Sequence, residues 1–140
     1  MKKISALIII VSAFFCNTLN AQELAVNPAE EAPKEYPENH IYDRAEIKPE
    51  YPGGINEFRE FVVNNLNLPD ELTESLRLVI SFVVEKDGSL TGVKLERNPG
   101  YGLAEEFQRI FATSKKWTPG YDKGKPIRTY FRFPLVIQFE

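Results

Sequence analysis

The chain has 140 residues, a formal net charge of -3 and one cysteine, Cys16. That length leaves room for one modest domain, and a single cysteine excludes an internal disulfide framework. The acidic balance argues against a nucleic-acid partner.

Met1-Lys2-Lys3 forms a positive start, and Ile4 to Cys16 is an apolar run. Leu19-Asn20-Ala21 then places a small residue at a cleavage point before Gln22, the pattern of a secretory signal. A spanning helix needs about 20 apolar residues, and Asn17, Thr18 and Asn20 interrupt the run too early. Residues 1–21 are therefore expected to be a cleaved signal peptide. The mature chain would be exported to the periplasm with no stable membrane span. The alternatives are an uncleaved inner-membrane anchor and lipidation at Cys16, where Phe14 and Phe15 occupy positions that lipidation wants small.

Residues 22–45 read as a flexible linker rich in Pro and Glu, with too little apolar surface to offset ordering entropy. Ile41 to Tyr51 alternates weakly and allows a short strand. Pro52-Gly53-Gly54 punctuates the chain. Ile55, Phe58, Phe61, Val62 and Leu66 then recur at helical spacing, an amphipathic helix ending near Asn64-Asn65. Leu76, Leu78, Ile80, Phe82 and Val84 alternate with Arg77, Val79, Ser81, Val83 and Glu85, the period of a strand with one apolar face. Lys86-Asp87-Gly88-Ser89 reverses the chain, and Leu90 to Glu96 returns as the second strand of a hairpin.

After the loop Asn98 to Gly102, Leu103, Phe107, Ile110, Phe111 and Ser114 mark a second helix. Glu105 and Glu106 open it and Lys115 and Lys116 follow its end, signs that match the helix dipole. Trp117-Thr118-Pro119-Gly120 breaks it, and Trp117 is expected to plug the junction of helix and sheet. In the last strand, Ile127, Thr129, Phe131, Phe133, Leu135, Ile137 and Phe139 face one way. Pro134 on the other face cannot donate a ladder hydrogen bond, which points to a sheet edge or a bulge. The expected fold is α+β: an antiparallel sheet of about three strands with two helices on one face, in β-α-β-β-α-β or α-β-β-α-β order.

Little in the chain suits catalysis. His40, the only histidine, lies in the linker with no nucleophile patterned around it. No His/Cys/Asp/Glu cluster has metal-ligand spacing. Glu30-Glu31 and Glu105-Glu106 are adjacent pairs, and helix neighbours do not face each other. Gly53-Gly54 lacks the Lys-Ser/Thr of a phosphate loop. We expect no enzyme activity, no cofactor and no metal. The charge is uneven instead: residues 22–106 carry 8 basic and 18 acidic side chains, and residues 107–140 carry 7 basic and 2 acidic. That excess favours an acidic partner segment near the C-terminal strand.

Several motifs in their order resemble the TonB C-terminal domain family in a short secreted form. They are Glu50-Tyr51-Pro52-Gly53-Gly54 before the first helix, Asn67-Leu68-Pro69, and the hairpin from Leu78 through Asp87-Gly88-Ser89-Leu90 to Val93. Trp117-Thr118-Pro119-Gly120, Gly124-Lys125-Pro126 and the apolar last strand follow. The likeness covers about residues 46–140, the expected domain. Ser75, Leu68 and Ala104 depart from the family's usual glycine, aromatic and acidic residues. The resemblance implies a non-enzymatic periplasmic domain that grips a peptide by strand addition, associated with TonB-dependent transport across the outer membrane. The partner it implies is the N-terminal segment of an outer-membrane receptor. An unpaired edge supplies the main-chain groups such binding needs, and the candidate residues are Arg128, Thr129, Tyr130, Phe131, Arg132, Phe133, Pro134 and Leu135. The alternative is a structural module that homodimerises, or contacts the cell wall, through the same edge.

Overall fold

A computed structural model describes residues 35–139; the expected signal peptide, Cys16 and most of the linker lie outside them. The chain opens with β1, Ile41–Tyr42, and continues through α1, Ile55–Asn65. The hairpin is β2, Leu76–Val84, and β3, Leu90–Leu95. Next come α2, Leu103–Ala112, the short β4, Gly120–Asp122, and β5, Lys125–Ile137. The class is α+β, as the two periodicities in the sequence require.

The strand order is β1-β5-β2-β3, with β4 also paired to β5. β2 and β5 run antiparallel in unbroken register from Leu76↔Ile137 to Val84↔Thr129. This sets like against like: Leu78 faces Leu135, Ile80 faces Phe133 and Phe82 faces Phe131. The period of two in both strands puts these pairs on one face, which both helices cover. The core gathers Phe58 and Val62 of α1, Leu103, Phe107, Ile110 and Phe111 of α2, and the inward residues of β2 and β5. Phe58 is fully buried at its centre, with ring centroids of Trp117, Tyr51, Phe133 and Phe111 between 4.9 and 5.2 Å away. Trp117 is buried at the end of α2, as expected from its place in the sequence.

Two expectations need correction. The sheet has five strands rather than about three. β1 and β4 span 2 and 3 residues, too few for a period to show, and tertiary pairing alone defines them. The linker also ends earlier than residue 45. Ile41 and Tyr42 pair in parallel with Arg128 and Thr129, and the Arg128 guanidinium donates to the Asn39 carbonyl at 3.0 Å. From Tyr42 the chain then crosses to the far side of β4, where Ile47 exchanges main-chain hydrogen bonds with Tyr121 and Glu50 with Thr118.

Candidate functional site

The direction of the main-chain groups along β5 follows from one hydrogen bond. The Glu96 amide donates to the Val79 carbonyl at 2.9 Å, so Val79 turns its polar groups toward β3. Main-chain groups alternate sides along a strand, so Leu78, Ile80 and Phe82 turn theirs toward β5. Val79 stands opposite Pro134, which is therefore a non-hydrogen-bonded position. The Tyr130, Arg132, Pro134 and Val136 main chain points away from β2. Proline is tolerated there because the N–H it lacks would have faced outward.

That outward edge is occupied only at its start. β1 pairs in parallel with Arg128 and Thr129. Since Thr129 turns to β2, that pairing uses the outward groups of Arg128 and the Tyr130 amide, and among the described residues no strand pairs the outer side of β5 beyond that amide. Of the eight candidate residues, the structure thus removes Arg128 and Thr129 from any open edge. Phe131, Phe133 and Leu135 contribute inward side chains and bond to β2. Tyr130, Arg132 and Pro134 remain outward, and Val136, outside the candidate set, joins them. Tyr130 and Val136 are exposed apolar surface beside this edge.

Arg128 serves the fold rather than a surface. Its Nε and Nη2 donate to both Glu85 carboxylate oxygens at 2.7 and 2.9 Å. That hydrogen-bonded pairing holds the Glu85 carboxyl below its ordinary pKa and raises that of Arg128. Arg132 makes a similar fork on Glu96, with Nε 2.6 Å from Oε1, on the sheet face away from the helices. Arg77 and Arg97 join them around a shallow hollow of about 310 Å³. The opposite border of the sheet, β3, is partly covered: Gln108 of α2 reaches the Val93 carbonyl at 3.5 Å.

A second hollow lies where the chain leaves β1. It has a volume of about 400 Å³ and is lined by Asp43, Arg44, Lys48, Pro49, Tyr130 and Phe131, among others. Among the described residues neither Arg44 nor Lys48 has a side-chain ion-pair or hydrogen-bond partner. Thr129 also borders it, and among the described residues its buried Oγ1 has no hydrogen-bond partner. Sequence reasoning missed this place, because nothing in the spacing of residues 43–49 announces a crossing over β5. Among the described residues no three His, Cys, Asp or Glu side chains group as metal ligands, and no helix is long and apolar enough to cross a membrane.

No protein-family model, curated protein or solved structure matches the chain.

Proposed function

We propose that the chain is an exported, TonB-like peptide-binding domain that takes a partner segment as an added strand along the outer edge of β5 between Tyr130 and Ile137. The observation that carries this reading is the run of outward main-chain groups beyond the Tyr130 amide, which no other described strand pairs. An edge of that kind binds a peptide through the hydrogen bonds that would otherwise go to water, while neighbouring side chains set preference. The resemblance of residues 46–140 to the TonB C-terminal domain supports the same mode. It suggests a periplasmic, non-enzymatic role in transport across the outer membrane, with a receptor's N-terminal segment as partner. Pro134 limits the ladder, since an added strand finds no donor there.

The test is binding of peptides copied from the N-terminal segments of co-expressed outer-membrane receptors, measured by calorimetry with the wild type and with Val136→Pro. The substitution removes an outward N–H and leaves the ladder to β2 intact, so the variant should keep its melting transition and lose binding. A folded Val136→Pro variant that binds as well as the wild type would refute the edge. Arg132→Pro, which removes the other outward N–H, serves as the second variant should Val136→Pro fail to fold. Sedimentation of the protein alone separates the assembly reading: a tight dimer that Val136→Pro dissociates would replace peptide capture with self-pairing.

A further inference from the structure

Resting on that reading, we infer that the hollow at the head of the open edge is a socket for an acidic side chain, so that the captured segment ends its pairing at an aspartate or glutamate. An added strand cannot extend past Thr129, because β1 already occupies that lane through Ile41↔Arg128 and Tyr42↔Thr129. The incoming chain must bend away at Tyr130. At that point it meets the 400 Å³ hollow bordered by Tyr130 and Phe131.

The charge of the hollow decides what it accepts. Among the described residues, Arg44 and Lys48 line it without a partner, and Asp43 is its one acidic residue. Farther along, Arg59 of α1 lies 5.8 Å from the ring centroid of Phe133, so a third cation flanks the same strand. Arg132 is already neutralised by Glu96. In a protein of net charge -3, the head of its open edge carries a local positive excess. A carboxylate there gains charge-assisted hydrogen bonds from two donors that otherwise have only water. A neutral side chain gains none of this, and a basic one is repelled.

The experiment compares amidated and acetylated ten-residue peptides, identical in their alternating apolar core, with glutamate or glutamine at each end in turn. Fluorescence anisotropy against the whole protein should show one glutamate position binding about tenfold tighter than its glutamine counterpart, the scale of a charge-assisted contact. That preference should collapse to parity in Arg44→Gln/Lys48→Gln. Glutamate and glutamine peptides binding equally well to the wild type would overturn the socket and leave strand addition standing. Binding of none of the peptides would overturn both. A glutamine peptide with a free C-terminal carboxylate that matches the glutamate peptide would overturn the side-chain assignment in favour of a captured chain end.

Discussion

Glu85 and Arg128 face each other just beyond the paired ends of β2 and β5, and the guanidinium reaches both carboxylate oxygens at 2.7 and 2.9 Å. The same guanidinium holds the Asn39 carbonyl, and the same carboxylate accepts from the Thr91 hydroxyl at 2.6 Å. One ion pair thus ties the hairpin, the last strand and the chain entering β1. It fixes where β1 lies, and so where the open edge begins.

Acid should loosen this tie in a defined direction. The Glu85 carboxyl is held below its ordinary pKa by its hydrogen bonds from Arg128 and Thr91. On acidification the unfolded chain is protonated at this site first, near its usual value of about 4.3. The contribution is therefore complete above that pH and is lost as the pH falls through the lower, folded value. Glu85→Gln should cost about 1 kcal/mol at neutral pH. Urea midpoints of the two proteins should converge as the pH drops below that of the unfolded carboxyl. A gap that stays constant into strong acid would show that the pair contributes nothing through its charge.

The turn at Gly88 should tolerate no side chain. Gly88 has φ +84°, its amide donates to the Glu85 carbonyl and its carbonyl accepts from the Trp117 amide, both at 2.9 Å. A Cβ there would overlap the Trp117 carbonyl oxygen. Gly88→Ala combines left-handed strain with a backbone clash, and we expect a loss of about 3 kcal/mol. Thermal denaturation measures it, and Trp117 emission should shift red as the ring loses its burial.

Thr129 should behave in the opposite way. Its side chain is buried, and among the described residues its Oγ1 has no hydrogen-bond partner. Removing an unsatisfied buried hydroxyl while keeping the shape recovers its desolvation cost, so Thr129→Val should stabilise by about 1 kcal/mol. The neighbouring Gly120 has no room to spare, because a Cβ on it would overlap that hydroxyl. Chemical denaturation of the single variant decides the sign.

What the sequence made legible follows its periods. The apolar alternation of β2 and β5 and the helical spacing of Phe58, Val62, Phe107 and Phe111 each marked an inward face, and the core uses those residues. Pro134 gave away the outward side of its strand, because a missing N–H is a constraint that acts locally. Strand order was not legible. Whether β5 borders the sheet depends on a two-residue pairing with Ile41 and Tyr42, and so short a pairing leaves no local pattern. The basic hollow was hidden for the same reason: Arg44 and Lys48 meet Tyr130 and Phe131 only because the chain crosses β5. The basic excess after residue 107 was visible, yet Arg109, Arg128 and Arg132 are held by Glu106, Glu85 and Glu96. The cations at the edge that no described residue pairs, Arg44 and Lys48, come from the N-terminal side.

Hydrogen exchange along β5 of the protein alone reads the edge without any partner. Amides of Phe131, Phe133 and Leu135 should be strongly protected by their bonds to β2, while those of Arg132 and Val136 exchange fast. Equal protection of both sets at a dilution where the protein is monomeric would mean that this border is already covered, and no strand could be added there.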